Sequence, residues 1–290
     1  MKRLSLIPFI LVTLFTTTLF SCDSQEPLPE PGLALYTLRD AMGENPKATL
    51  EQVAAIGYVN LENAGYNEGT FYGMSPKDFK AFVQEQGLIP KSSHNSTVTL
   101  ENADAIMSDV QAAGFEYFVV PIPPMGMFTY DVATASMGMK GNLEDFADIL
   151  NTLGKKAAEH GLQLLYHNHD FEFKENADGV IPIDYLLKNT NPEYVNFQMD
   201  LYWVTKAKAD PIAYFKEYPG RWKSWHVKDM DDQGRFAPVG QGSIDFARIL
   251  EHREQAGMDY YLVEQDQTFD QKPMKAIEIS FQGLKDLGFR

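Results

Sequence analysis

The segment Leu162-Gln-Leu-Leu-Tyr-His-Asn-His-Asp-Phe-Glu-Phe173 changes character abruptly in its middle. Residues 162–166 are apolar and typical of a buried strand in a parallel sheet. His167, Asn168 and His169 follow at once, and histidine side chains bind metal ions or transfer protons. In proteins built on parallel barrels, the functional site lies at the carboxyl ends of the strands. The segment therefore predicts one such strand and part of a site at its end.

The same change from a short apolar run to a helical segment recurs along the chain, usually with Gly or Pro between them. Further strands are predicted at residues 33–36, 58–62, 88–93, 115–120, 194–200, 222–227 and 260–264. Helices are predicted at about 46–56, 75–87, 100–113, 143–161, 182–189, 211–218, 243–257 and up to about 287. Eight strand–helix units predict the α/β class and a single (β/α)8 TIM barrel over residues 33–290.

Two other features bear on this fold prediction. No GxGxxG or GxxxxGK[ST] motif follows a predicted strand, so a nucleotide-binding doubly wound sheet is the weaker alternative. Residues 121–141 are rich in Pro, Met and Gly and predict a long loop, which suggests a lid or a pocket wall.

The N-terminus predicts a targeting segment. Two basic residues precede an apolar segment, residues 4–20, and Cys22 is the only cysteine in the chain. We expect residues 1–21 to be a lipoprotein signal peptide and residues 22–32 to be the lipidated cysteine with an acidic, Pro-rich linker. The protein would then be anchored in the cell envelope by lipid alone, as a periplasmic or outer-membrane lipoprotein. An ordinary signal peptide or an uncleaved anchor is the alternative.

The chain is strongly acidic, with a formal net charge of −15 at pH 7. Such a surface repels phosphate backbones, so a nucleic-acid partner is excluded from the main hypotheses. A neutral or cationic small substrate, or one held through a metal ion, fits the charge better. Export also argues against a phosphorylated substrate.

Polar side chains end six of the eight predicted strands. They are Glu62, His94, His167 with His169, Asp200, His226 with Lys228, and Glu264. Four of the six histidines fall at these ends, whereas His160 and His252 lie on predicted helices. Because strand ends meet at one rim of a barrel, we expect these side chains to form one site.

A metal centre is predicted from two imidazoles and two carboxylates on consecutive strands. The proposed ligands are His167, Asp200, His226 and Glu264, which suit one Mn, Co, Zn or Fe ion better than Mg or Ca. Taken alone, a strand-end Asp is usually a helix cap, and a histidine in an apolar strand is usually half buried and hydrogen-bonded. Their occurrence together on adjacent strands favours the metal centre.

The strand-end motifs resemble those of the xylose isomerase-like TIM barrel superfamily, in particular its sugar phosphate isomerase/epimerase and inosose dehydratase-like branch. The matching stretches are 35–40, 166–173, 199–204, 226–229 and 263–266. The resemblance implies a divalent metal ion at the strand ends and proton abstraction beside a carbonyl group that the ion holds. Many members carry a glutamate where this chain has His167, which counts against a symmetric transfer between two glutamates.

Candidate roles follow for the remaining residues of the rim. Glu264 is the candidate base, with His169 or Glu62 as the second proton-transfer group. Lys228 either holds a substrate oxygen or lowers a neighbouring pKa, unless it only pairs with Asp229.

Substrate contacts are predicted for four further residues. His94 binds substrate or makes a loop hydrogen bond, and Glu172 binds a hydroxyl group or pairs with Lys174. Trp203, or its neighbour Tyr202, and Tyr36 offer aromatic surface to a sugar.

The function that these residues favour is metal-dependent isomerisation or epimerisation, through an enediolate, of a keto-sugar or keto-glycoside. The first alternative is a lyase or dehydratase that uses the same intermediate to expel a leaving group; His167 in place of glutamate slightly favours it. The second is a non-catalytic sugar-binding lipoprotein. A relative of metal-dependent abasic-site endonucleases would need more histidines and a basic groove.

Overall fold

The computed structural model describes residues 27–289, and within them eight parallel strands close into one barrel in sequence order. The strands are β1 Gly32–Ala34, β2 Asn60–Asn63, β3 Ile89–His94, β4 Tyr117–Val120, β5 Gln163–His167, β6 Val195–Asp200, β7 Trp222–Val227 and β8 Tyr260–Val263. β1 pairs in parallel with both β2 and β8, which closes the barrel. The predicted (β/α)8 fold is confirmed.

Helices connect the strands and cover the outside of the barrel. They are α1 Arg39–Glu44, α2 Pro46–Ile56, α3 Pro76–Glu85, α4 Ala103–Ala112, α5 Leu143–Glu159, α6 Pro182–Asn189, α7 Leu201–Lys206, α8 Pro211–Glu217, α9 Phe246–Leu250, α10 Arg253–Ala256 and α11 Pro273–Asp286. Several begin as the sequence indicates: Ser75 caps α3 by accepting the Asp78 amide, and Pro76 occupies the first turn. Gly57 ends α2 at φ 112°, a left-handed conformation that favours glycine.

The region after β7 differs from the prediction. Residues 243–257 were expected to form one helix, but the structure has two short helices, α9 and α10. The backbone amide and the hydroxyl of Ser243 both donate to the carbonyl oxygen of Met230, so Ser243 is not available to start a helix. Asp245 is the cap instead, because its carboxylate accepts the Arg248 amide.

The segment 121–141 contains an antiparallel hairpin, which the prediction of a plain loop missed. Phe128–Asp131 pairs with Ser136–Met139, and we call these two strands the mouth hairpin. Its strand residues are mainly hydroxylic, Met and Gly, so the alternation that marks a half-buried strand is weak. Its side chains are mostly exposed or half buried.

Side chains inside the barrel change from apolar to charged along the strands. The lower layer, which we call the barrel floor, consists of Tyr117, Val119, Leu165, Tyr260 and Leu262, all buried. Alternate residues of a strand point to the same side, so the next inward positions above the floor belong to the predicted site. The strands thereby carry their functional side chains at the carboxyl end of the barrel.

The predicted signal peptide, Cys22 and the linker up to residue 26 lie outside the described residues, so the lipoprotein assignment stays a prediction. Across residues 27–289, no helix combines the length and the apolar character that crossing a membrane requires.

Candidate active site and metal centre

The four predicted metal ligands converge at the ends of β5 to β8. Asp200 Oδ2 lies 3.9 Å from both His167 Nε2 and His226 Nδ1. His226 Nδ1 lies 2.8 Å from Glu264 Oε2. Ligand atoms of Asp200, His226 and Glu264 are all within 4.8 Å of one another, and all four residues are buried. The fold therefore places Asp200, His226 and Glu264 around one point, with His167 next to Asp200.

Both histidines are oriented by a partner on their far side. His226 Nε2 lies 2.7 Å from Glu62 Oε1, and His167 Nδ1 lies 2.9 Å from Gln198 Oε1. Each ring therefore turns its other nitrogen toward the carboxylates of the site. A hydrogen bond to the outer nitrogen is the usual way in which proteins fix a metal-binding imidazole.

Asp200 is fixed in the same manner. Its Oδ1 accepts the backbone amides of Tyr202 and Trp203 at 2.9 and 3.0 Å, which also caps α7. Asp200 therefore does serve as a helix cap, but only one of its oxygens is used in this way, and Oδ2 faces the histidines. The oriented donor set of two nitrogens and two oxygens fits a borderline divalent cation such as Zn, Mn, Co or Fe.

Lys228 places a cation among three carboxylates. Its Nζ lies 2.8 Å from Asp200, 2.5 Å from Glu264 and 2.9 Å from Asp266, and the residue is only 1% exposed. The alternative pairing with Asp229 is wrong, because the Asp229 carboxylate accepts backbone amides of the β7–α9 loop instead. Lys228 thus belongs to the site.

The charges in the site shift each other's pKa values. Burial would lower the pKa of His226, but Glu264 and Glu62 outweigh it and raise that pKa to about 10. Burial would raise the pKa of Glu264, but Lys228 and His226 hold it well below the usual range. Burial, together with the neighbouring His226, keeps the pKa of His167 well below its usual value. His167 is therefore neutral, as a ligand must be, whereas His226 would have to release its proton when a metal ion binds.

His169 faces the mouth of the barrel with one free nitrogen. Its Nδ1 is buried and has no hydrogen-bond partner within residues 27–289. Burial and the nearby Lys228 charge lower the pKa of His169 to about 3, so the ring is neutral at pH 7. The ring centroid lies 5.6 Å from that of Trp203. The neutral imidazole keeps one nitrogen unprotonated, as a proton acceptor requires, and its lowered pKa makes it a weak base.

Glu62 does not face the cavity, in contrast to the prediction that it is a second proton-transfer group. Its Oε2 accepts from Ser92 and Gln198 at 2.6 and 2.7 Å, and its Oε1 contacts His226 and His94. Burial would raise the pKa of Glu62, but the two histidines keep it well below the usual range. Glu62 is therefore an anion that orients histidines from below.

Glu172 is also withdrawn from the cavity, although it was predicted to bind a substrate hydroxyl group. Its carboxyl accepts the Tyr166 hydroxyl at 2.5 Å and the His169 amide at 2.8 Å. The alternative pairing with Lys174 is wrong as well, because that lysine pairs with Asp170. Burial raises the pKa of Glu172 to about 8 against these hydrogen bonds. The residue positions the turn that carries His169.

A cavity of about 330 Å³ opens above the ligands, and we call it the inner cavity. Seven of the predicted site residues line it: Tyr36, His94, His167, His169, Trp203, Lys228 and Glu264. Tyr36 is 42% exposed at its rim. His94 also reaches down to Gln198 and Glu62, at 2.8 and 2.9 Å. More than half of the residues that line this cavity were therefore predicted from the sequence.

Three residues of the site were missed. Gln198 connects His94, His167 and Glu62 through its amide. Its position two residues before Asp200 on β6 puts it on the same inward face, which was a usable signal. Asp266 follows Glu264 by two residues and binds Lys228, whereas Met137 reaches the cavity from the mouth hairpin and carries no such signal.

A family model for the xylose isomerase-like TIM barrel matches residues 50–287. The chain belongs to this family. Members of the family fold as the barrel described above, and the resemblance drawn from the strand-end motifs is confirmed.

Similar proteins are found both by sequence and by structure. An inosose dehydratase from Lacticaseibacillus casei is 29% identical over 151 residues, which cover 46% of this chain and 49% of that protein. The match therefore spans about half the length of that relative. A solved structure of a sugar phosphate isomerase/epimerase from Parabacteroides distasonis is 26% identical, covers 90% of this chain and 99% of its own, and superposes with a TM-score of 0.75.

The structure of the IOLI protein with a bound zinc atom is more distant. It is 16% identical to this chain, covers 89% of it and 98% of its own length, and has a TM-score of 0.67. This likeness shows a common fold.

Proposed function

We propose that this protein is a metal-dependent lyase that acts on a neutral keto-sugar. It would remove the proton beside a ketone and expel the oxygen substituent on the next carbon. The observation that carries the proposal is the neutral His169 ring, which lines the inner cavity together with Lys228 and two of the candidate ligands, His167 and Glu264. A proton acceptor, a proton donor and a metal centre thus face one small space.

The metal centre stabilises charge. His167, Asp200, His226 and Glu264 would hold the ion, which supplies a Lewis acid for the negative charge that develops on the ketone oxygen. Trp203 and Tyr36 would contact the apolar faces of a sugar ring, and His94 would bind one of its hydroxyl groups.

The proton steps use this chain's own residues. The unprotonated ring nitrogen of His169 takes the proton from the carbon beside the ketone, and the C–H electron pair forms the enolate. The enolate then re-forms the ketone while the C–O bond on the next carbon breaks, and its electron pair leaves with the oxygen. Lys228 Nζ donates a proton to that oxygen, so the products are an unsaturated ketone and water or an alcohol. Proton return from His169 to Lys228 through solvent restores the enzyme.

Elimination is favoured over isomerisation by two features of the site. Exchange of a proton between two carboxylates would need Glu62, which is enclosed by four hydrogen-bonding partners. The other carboxylate, Glu264, has its Oε2 occupied by Lys228 and His226, at 2.5 and 2.8 Å, so this oxygen is not free to take a proton. The similarity to an inosose dehydratase from Lacticaseibacillus casei supports the same choice.

Isomerisation or epimerisation is the second candidate. The solved structure that is 26% identical to this chain carries that name. Both reactions begin with removal of the same proton, so they differ only in whether the enolate is protonated again or loses its substituent.

Isotope exchange tests the proposal. The protein, assayed for bound metal, is incubated with keto-sugars in D2O, with and without a chelator. We expect deuterium beside the ketone together with an unsaturated product, and both should be lost on chelation and in His167→Ala. His160→Ala, on the outer helix α5, is the matched control and should keep both. Exchange without an unsaturated product would favour the isomerase, and a metal-free protein that exchanges nothing would refute an enzymatic role.

We also propose that the protein is exported and anchored in the cell envelope through Cys22. The sequence of residues 1–32 supports this. Cys22→Ala should release the protein from the membrane fraction, and a mass spectrum of the wild-type N-terminus should show the lipid.

A further inference from the structure

A second cavity lies beside the inner cavity, on the side of β1 and β8. It measures about 610 Å³, and we call it the outer cavity. Its walls are the segments that follow these two strands, residues 37–44 and 265–274. Pockets of roughly 300–1,000 Å³ are large enough to hold a ligand of drug size. Each of the two cavities could therefore hold a molecular fragment of its own.

The two cavities adjoin at the lyase residues. Asp266 lines both of them, and its carboxylate lies 2.9 Å from Lys228 Nζ. Tyr36 and Glu264 line the inner cavity, and the residues directly after them line the outer one. A substrate that reacts beside Lys228 can therefore extend past Asp266 into the outer cavity.

The outer cavity also contains a polar group without a partner. Gln265 is 2% exposed, its amide nitrogen donates to the carbonyl of Gln267, and its amide oxygen accepts no hydrogen bond from any residue of the described range. A buried amide oxygen without a partner costs free energy, which a hydroxyl group of a ligand would recover. This acceptor points to a hydroxylated occupant.

One aromatic ring and a slight excess of negative charge on the walls describe that occupant further. Phe269 is 47% exposed on the wall of the outer cavity, and the Arg235 guanidinium lies 4.8 Å from its ring centroid. Side-chain charges on the walls are mixed, with Arg39 and Lys272 against Asp40, Glu44 and Asp266. The excess of acidic groups disfavours a phosphate, whereas a ring face with hydroxyl acceptors is suited to an uncharged sugar.

We propose that the outer cavity binds the departing half of the substrate and that this half is a second, uncharged sugar ring. The substrate would then be a keto-glycoside, not a free keto-sugar. This inference rests on the proposed lyase function. Elimination at a glycosidic oxygen requires the ketone two carbons from the anomeric carbon, at ring position three. The C–O bond to the second sugar breaks, its electron pair and the Lys228 proton go to the glycosidic oxygen, and the second sugar leaves with a free hydroxyl group.

The experiment compares three substrates that share one 3-keto-glucosyl ring, in metal-loaded protein. They carry a methyl group, a p-nitrophenyl group or a second glucose as the leaving group. We expect kcat/KM for the disaccharide to exceed that for the methyl glycoside by about tenfold or more, which corresponds to about 1.4 kcal/mol or more from the second ring. Phe269→Ala and Gln267→Trp, which respectively remove and block the wall, should both bring this ratio toward one. Ile89→Ala truncates an exposed apolar residue at the start of β3 and should leave the ratio unchanged.

The outcomes separate the two proposals. Equal kcat/KM for the methyl glycoside and the disaccharide, unaffected by either variant, would overturn the outer subsite while the lyase function stands. A gain confined to the p-nitrophenyl glycoside would overturn the assignment of a sugar to this cavity. Failure of all three substrates to exchange deuterium or to eliminate would overturn the lyase itself.

Discussion

The barrel floor and the rim above it are built from the same strands and differ completely in chemistry. On β8, Leu262 belongs to the apolar floor and Glu264 to the charged site; on β5, the same step leads from Leu165 to His167. Two residues of a strand span only about 7 Å. The floor consists of apolar side chains that pack against one another. The rim consists of buried charged groups that are stabilised by pairing with groups of opposite charge.

This difference separates the residues that stabilise the fold from the residues that form the candidate site. Burying charges is expensive, and a buried ion cluster is weak evidence for stability. The apolar floor and the helix-covered walls supply the burial that holds the barrel together. Because other residues stabilise the fold, residues of the rim can serve binding and catalysis, as is typical of the carboxyl end of such barrels.

The largest effect is expected at the rim, from His169→Ala. Loss of a proton acceptor typically lowers the rate by about 10²- to 10⁴-fold, and metal content should not change because His169 is not among the four ligands. Deuterium exchange and metal analysis measure the two quantities. His252→Ala, at the start of α10, is the control. Full exchange activity in the His169 variant would assign the base to Glu264 instead.

Lys228→Met should lower the free energy of unfolding, because it removes the cation from among the carboxylates of the rim. Removing one partner of a buried ion cluster typically costs about 3–5 kcal/mol, and here three carboxylates would lose their common partner. Zinc or manganese should reduce this loss, because a bound ion replaces the missing charge. Urea unfolding with and without chelator measures both. Lys223→Met, on a half-exposed side chain of β7, should change stability by less than about 0.5 kcal/mol. A loss that metal does not reduce would contradict the idea.

Leu262→Ala should show the opposite behaviour of the floor. The lost packing and the cavity left behind should lower the free energy of unfolding by about 2–5 kcal/mol. The loss should be the same with and without metal, and metal affinity should be retained. A variant that instead lost metal binding would show that the floor and the rim are not independent.

The smallest effect concerns the pH dependence of stability. Burial raises the pKa of Glu172 from 4.5 to about 8, so between these values the folded protein binds a proton that the unfolded chain has lost. The contribution of Glu172 to the free energy of unfolding is therefore greatest below pH 4.5. It falls as the pH rises toward 8, by roughly 2 kcal/mol between pH 6 and pH 8. Glu172→Gln should flatten this slope, whereas Glu175→Gln, at an exposed site, should keep it. An unchanged slope in the first variant would refute the raised pKa.

The sequence was sufficient for the barrel and for the convergence of the ligands. Parallel strands of one barrel end at one rim, so a strand-end position fixes the neighbourhood of His167, Asp200, His226 and Glu264 without any knowledge of side-chain packing. Strand alternation would also have found Gln198, had the inward positions below the rim been considered.

The rest depended on three-dimensional packing. Whether Glu62 and Glu172 face a cavity or hydrogen-bond beneath it is decided by Ser92, Gln198 and Tyr166, which come from other strands or turns. The mouth hairpin was hidden by its Met and Gly content. The outer cavity is formed by segments more than 200 residues apart in the chain, so no local pattern reports it.

Lys228 gives the site an internal counterion. Structural zinc domains often remain unfolded until the ion arrives, because their ligands repel one another or stay solvated. In this barrel the ammonium group already neutralises part of the carboxylate charge, so folding does not have to wait for metal. Under the proposed function, the polypeptide would fold first and bind the metal ion second, so the metal supply of the surroundings would decide when the protein becomes active.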